Sequence, residues 1–316
     1  MSKQTNHLLL LAALAWALPS LAQTPTFHSD VNLVNVTFSA RDNSGKLVGD
    51  LTQDEIEVLE DGVPQKSRFF ARTSDLPLTV GLIVDVSDSQ ANFFKQHHEH
   101  VERFLKDVMG PQDQAFLVCF GNRISLVSDL TSSVSQVMDS YATFEHERKP
   151  RFPELGPRED RQEGTAFFDS VVYSVQEKLA TTNHGRRALI IFSDGEDNSS
   201  AYDLVDAIEA AQGGDVLVYC IRYTGGKRGH LTSRNKYGMR VMKRLAQDTG
   251  ATDFDATEDP DLDPIFRQIG AELRSLYEVA YHASNPVRDG TFRKIAVRSD
   301  RPGVTCRAKA GYFSQR

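Results

Sequence analysis

The chain has 316 residues, 36 basic and 43 acidic side chains, a formal net charge of −7 and three cysteines. That length exceeds one ordinary domain and falls short of three, and the acidic balance gives no general basis for binding nucleic acid. Cys119 and Cys220 sit inside the apolar runs FLVCFG and VLVYCIRY and Cys306 is remote from both, so neither a disulfide framework nor an activated thiol is expected.

Residues 1–22 carry Lys3, an apolar run from Leu8 to Leu18, then Pro19 and Ser20-Leu21-Ala22. This is the pattern of a secretory signal peptide cleaved after Ala22, with an apolar core too short to span a bilayer. The mature chain is expected to be exported, to the periplasm or beyond. No later stretch reaches the roughly 20 apolar residues of a membrane span.

Residues 27–75 read as strands and turns: VNLVNVTFSA, the turn RDNSGK, and EIEVLEDGVPQKSRFF with Asp61-Gly62 as a hairpin signal. From 76 to 276 strands and helices alternate. PLTVGLIVDVS predicts a strand, Ala91–Val108 a helix, AFLVCFG and RISLVSDL a hairpin across Gly121-Asn122, and Val134–Phe144 a helix. Helices over Ala166–Leu179, Ala201–Gln212, Tyr237–Asp248 and Asp261–Leu276 then alternate with the strands RALIIFSDG, DVLVYCIRY and ATDFDA. Strands joined by helical crossovers imply a doubly wound, mostly parallel α/β sheet covered on both faces. Residues 277–316 return to short β runs, YEVAYHAS, TFRKIAVRS and VTCRAKAGYF. About forty residues bury a core poorly on their own, so the two ends are expected to pair as one small all-β domain.

Ligands of such sheets collect beyond the C-terminal strand ends. Three segments bring oxygen side chains there: Asp85-Val86-Ser87-Asp88-Ser89, Gly164-Thr165, and Asp194 in SDGED. Each taken singly is explained by helix capping or an Asx-turn. Jointly they resemble the metal-ion-dependent adhesion site (MIDAS) of von Willebrand factor type A (VWA) domains. With the leader and the flanking phrase IEVLEDGVPQ, the whole mature chain resembles a VWA-related family of secreted bacterial proteins.

The resemblance implies a six-stranded sheet of order 3-2-1-4-5-6 with one antiparallel edge strand. It also implies a divalent ion, Mg²⁺ before Mn²⁺ or Ca²⁺, held directly by Ser87, Ser89 and Thr165, with Asp85 and Asp194 acting through bound water. Mg²⁺ keeps several waters and accepts neutral oxygens, so this donor set suits it. An ion with few direct anionic ligands retains affinity for a carboxylate, so the implied partner is a protein presenting Asp or Glu. Asp88 and Gln90 depart from the family pattern and are expected to add charge or bulk near the ion.

Arg222 to Gln247 holds eight basic residues and no acidic one, and Lys227, Arg228, Arg234 and Lys236 are candidates for a rim that steers an acidic partner. A solvated loop is an equal reading. The insert EHERKPRFPELGPREDRQE reads as a mobile surface loop, the acidic run Asp253–Asp263 as helix capping, and HHEH at 97–100 as an exposed polar helix face. A Walker loop, a G-x-G-x-x-G turn and a G-x-S-x-G elbow are all missing. The expected function is a secreted, metal-dependent protein-binding module and not an enzyme. A structural protein with an idle site and an α/β hydrolase are the alternatives.

Overall fold

The computed structural model describes residues 33–146, 152–157, 164–182, 185–224, 231–257 and 261–314; the leader lies outside the described residues. The chain opens with β1 (Leu33–Arg41), β2 (Ile56–Glu60), β3 (Val63–Gln65) and β4 (Ser67–Arg72). Asp61 and Gly62, with φ of 49° and 82°, make the tight β2–β3 turn expected of Asp-Gly. Then come β5 (Leu78–Asp85), α1 (Phe94–Val108), β6 (Gln114–Phe120), β7 (Ile124–Thr131), α2 (Val134–His146), α3 (Phe167–Tyr173) and β8 (Arg186–Ser193). After these follow α4 (Leu204–Gly213), β9 (Val216–Arg222), α5 (Ser233–Asp248), β10 (Asp253–Asp255) and α6 (Asp263–Leu273). The last strands are β11 (Tyr277–His282), β12 (Phe292–Ser299), β13 (Thr305–Ala308) and β14 (Gly311–Phe313).

The central sheet runs β7-β6-β5-β8-β9-β10, which is 3-2-1-4-5-6 when numbered from β5. Its neighbours pair in parallel except β7, which is antiparallel to β6 at the edge. Every residue of β5 is buried because both faces are covered, hence its unbroken apolar run. On one face, Val80, Leu82 and Val84 pack with Phe104 of α1, Tyr141 of α2 and Phe266 of α6. On the other, Ile83 packs with Phe167 of α3, Ile208 of α4 and Met242 of α5.

The chain ends form two further four-stranded sheets, β13-β1-β11-β4 and β14-β12-β2-β3. Strands from before and after the α/β unit alternate within them: β11 lies between β1 and β4, and β12 pairs with β2. Val36, Phe38, Tyr277, Tyr281 and Ile295 form their shared core. Buried polar contacts tie these sheets to the α/β unit. Ser39 Oγ donates to Glu272 Oε1 at 2.8 Å, and Arg41 pairs with Glu272 Oε2 at 2.6 Å.

Several elements differ from their sequence patterns. A 3₁₀ turn over Asp88–Phe93 delays α1 to Phe94. Asp203 caps α4, so that helix starts after Ala201, and Thr232 caps α5, which gains a polar first turn with no apolar period to reveal it. The helix expected to reach Leu179 does so, but as α3 followed by a π-helical turn over Ser174–Leu179. Asp261 Oδ1 accepts from Asp263 N at 3.0 Å ahead of α6.

Two expectations are corrected. HHEH is not an exposed face: His97 is fully buried and His100 is 6% exposed. The reason is helical phase, since α1 lays positions 97, 100, 101, 104, 105 and 108 on the sheet. His100 Nδ1 meets the Tyr223 hydroxyl at 2.6 Å, and burial, with His100 adding to it, holds His97 down to about 3 and therefore neutral. The insert is not wholly a surface loop either. Leu126 N donates to Pro153 O and Leu155 N to Ile124 O, at 2.8 and 3.0 Å, so this piece pairs along edge strand β7 with Leu155 buried.

Candidate metal site at the strand ends

Neighbouring strands β5 and β8 end side by side at Asp85 and Ser193. Asp85 is fully buried; it accepts Ser193 Oγ on Oδ2 at 2.6 Å and its own turn's Ser87 N on Oδ1 at 2.9 Å. The Asx-turn thus exists, and it aims the next residues at the opening. Ser87 Oγ and Ser89 Oγ lie 3.1 Å apart, and Ser89 Oγ donates to Asp194 Oδ2 at 2.8 Å. Glu196 N donates to Asp194 Oδ1 at 3.0 Å.

Thr165 arrives from a different loop. Gly164, with φ of +126°, turns the chain, and Thr165 N donates to Asn198 Oδ1 at 2.7 Å. The Thr165 carbonyl accepts from Asn198 N and Ser199 N, and Asp197 Oδ1 accepts from Phe167 N at 2.9 Å, capping α3. These bonds clamp the Gly164 loop to the Asp194 loop.

The product is an open cleft of about 740 Å³ whose lining includes Ser87, Ser89 and Thr165. Asp85 and Asp194, 0% and 3% exposed, stand behind it. Burial, and after it the charge of Asp194, push Asp85 up to about 7. Glu196, on the cleft wall, is raised by the same two causes, with Arg234 opposing from 3.7 Å. Negative charge is therefore crowded and poorly solvated here, and a cation would relieve it. No three His, Cys, Asp or Glu side chains cluster as metal ligands among the described residues. Three hydroxyl-bearing residues with two carboxylates behind them are an oxygen donor set that suits a divalent cation.

Gln90, expected to add bulk near the ion, is fully buried against the site: its Nε2 donates to Asp194 Oδ2 at 2.9 Å and to Tyr223 O at 3.2 Å. Ser193, Asn198 and Gln90 hold the cluster together; the run SDGEDNSS, rich in short polar side chains, was a signal for the first two, and nothing local announced the role of Gln90. Asp88 is exposed on the cleft lining. Of the rim candidates, Lys227 and Arg228 lie outside the described residues. Arg234 reaches the cleft, and Lys236 is exposed on α5. Cys119 touches the cleft, but burial raises its thiol far above the ordinary value, which leaves it inert.

No family model matches the sequence, and no curated protein does. Solved structures with a similar fold include a von Willebrand factor type A protein from Catenulispora acidiphila, 12% identical over 91% of this chain and 74% of that one, with a TM-score of 0.47. Proximal thread matrix protein 1 of the mussel byssus, in a structure with a zinc-occupied MIDAS motif, is 14% identical over 69% of this chain and 50% of that one, TM-score 0.48. An aerotolerance-related membrane protein from Bacteroides fragilis is 13% identical over 62% of this chain and 98% of that one, TM-score 0.45. The fold assignment rests on the chain's own topology: the sheet order with its single antiparallel edge strand is the doubly wound α/β fold expected of a VWA domain.

Proposed function

We propose that this protein is an exported, metal-dependent binding module. Ser87, Ser89 and Thr165 would hold Mg²⁺ directly, with Mn²⁺ or Ca²⁺ as substitutes, and Asp85 and Asp194 would hold its waters. The bound ion supplies a coordination position for an Asp or Glu of a protein partner. The observation that carries this reading is the convergence of three hydroxyls on one cleft with two buried carboxylates directly behind them. Arg234, and the basic loop that precedes it, would draw an acidic partner to the cleft.

Two further features support binding over catalysis and export over retention. Among the described residues, the cleft lining holds neither His nor Lys, so Ser87 and Ser89 have no Ser-His or Ser-Lys pairing there. The pattern of residues 1–22 supports export, and among the described residues no helix is long and apolar enough to cross a membrane.

Calorimetric titration with Mg²⁺ and Mn²⁺ tests the reading. Wild type is expected to show saturable heat that Asp85→Ala and Thr165→Ala lose; equal silence from all three proteins would leave an idle site.

The same titration should depend on pH. Asp85 in the folded, metal-free protein keeps its proton up to about pH 7, whereas an unfolded carboxyl loses it near 4. The folded state therefore binds more protons between those values, and the stability this group contributes falls as pH rises through that window. Metal binding must displace the proton. Mg²⁺ affinity is expected to rise about tenfold per pH unit up to about 7 and to flatten above it. Below that value, proton release should be visible as heats that differ between buffers. Affinity that stays flat from pH 5 to 8 would contradict a protonated Asp85.

A further inference from the structure

Beside the polar cleft lies a second cavity of different chemistry, about 710 Å³, between the start of α1 and the end of α2. Its apolar lining comes from Val86, Phe94, Tyr141 and Phe144. Tyr141 is 1% exposed and stacks under His98, with ring centroids 5.1 Å apart, while Phe144 is buttressed by Phe152 of the insert at 5.7 Å. The cavity therefore has a supported aromatic floor.

The two cavities adjoin, because Val86 and Phe144 line both. Val86 also stands between Asp85 and Ser87, so the wall shared by groove and cleft belongs to the metal loop itself. The polar groups at the groove's edge already have partners. Lys95 faces Glu99 at 3.7 Å along α1, and His98 Nδ1 meets Glu145 Oε2 at 2.9 Å across to α2. A charged occupant would find its opposite already engaged and would lose its own hydration. An uncharged apolar side chain gains by covering Val86, Phe94 and Phe144, each only partly buried.

We infer that the partner presents a two-point segment: an acidic residue for the cation and, at a short fixed offset in its sequence, an aromatic or large aliphatic residue that fills the groove lined by Phe94 and Phe144. This rests on the metal-dependent reading above and adds the second anchor. The acid confers dependence on the cation; the apolar residue selects among the many acidic segments any protein surface offers.

The probe is a displayed peptide library with one fixed Asp flanked by randomised positions, selected on the full-length protein in millimolar Mg²⁺ and eluted with chelator. Enriched peptides should share Phe, Trp, Leu or Met at one offset from the Asp. Synthesised, they should bind Phe94→Ser and Phe144→Ser about tenfold more weakly than wild type, and Phe94→Ser, at a residue that lines the groove and not the cleft, should keep its Mg²⁺ heats unchanged as proof that the site and fold survive. Replacing the apolar peptide residue by Ser should cost wild type the same factor and cost the variants little.

Chelator-sensitive peptides that keep the Asp but show no apolar preference would overturn the groove and leave the metal site standing. Apolar peptides held equally well in chelator would overturn the coupling of the two cavities. Recovery of no Mg²⁺-dependent peptide, from a protein that shows Mg²⁺ heat, would overturn the two-point segment while sparing the metal site. No peptide and no heat would overturn both.

Discussion

Arg41→Met is expected to lower the unfolding free energy by about 3–5 kcal/mol, the usual consequence of leaving a buried charge unpaired. The Glu272 side chain is 1% exposed, and its carboxylate is satisfied by Arg41 at 2.6 Å and Ser39 Oγ at 2.8 Å. Methionine fills much of the arginine's volume but offers no proton, so Glu272 must either take one up or remain charged in apolar surroundings. In thermal melts the loss should read as roughly 2–4 °C for each kcal/mol. Arg41→Met combined with Glu272→Leu should recover most of the loss, because a buried pair contributes little beyond what apolar groups of similar volume would. A single variant within about 1 kcal/mol of wild type would mean that this contact does not join β1 to α6 in solution.

Gly238→Ala is expected to injure the fold and the cleft together. A Cβ on Gly238 would stand 2.1 Å from the Asp194 carbonyl oxygen, and one on Gly195, where φ is +75°, would stand 2.6 Å from the Gly238 carbonyl. Helix α5 thus touches the Asp194 loop backbone to backbone, and neither side has a flexible side chain to give way. Overpacking of this kind costs about 1–3 kcal/mol. The strain falls on the residue whose carboxylate receives Ser89 and Gln90. Mg²⁺ affinity should therefore fall as well, about tenfold for every 1.4 kcal/mol that reaches the site. Gly213→Ala is the control, since a Cβ there meets nothing within 4 Å; it should leave both denaturant midpoint and Mg²⁺ affinity close to wild type.

The two features that these substitutions probe were both invisible in the sequence. Neither the Arg41–Glu272 pair nor the Gly195–Gly238 contact has any local signature, because the partners lie 231 and about 43 positions apart. The DVSDS turn was legible. An apolar run buried on both faces ends abruptly on short oxygen-bearing residues, and a chain's hydration preference changes only where its surroundings do. The bracing role of Gln90 was not legible, because its environment comes from Asp194 and Tyr223, both more than a hundred residues away. The histidines were misread because a polar residue type carries no record of helical phase. His97 and His100 share the face of Val101 and Phe104, while His98 does not.

By itself, then, the sequence determined the alternation of strands and helices, the β character of both ends, and the three oxygen-bearing segments at the strand ends. All of these follow from periodicity and turn chemistry that act over a few residues. Tertiary structure alone decided that Asp85 and Asp194 are buried behind the cleft, that Gln90 braces one of them, that the insert pairs along β7, and that an aromatic groove opens beside the Asp85–Ser89 turn. Each of these depends on which distant segment fills the adjoining space, and burial and charge coupling are properties of that neighbourhood and not of the residue.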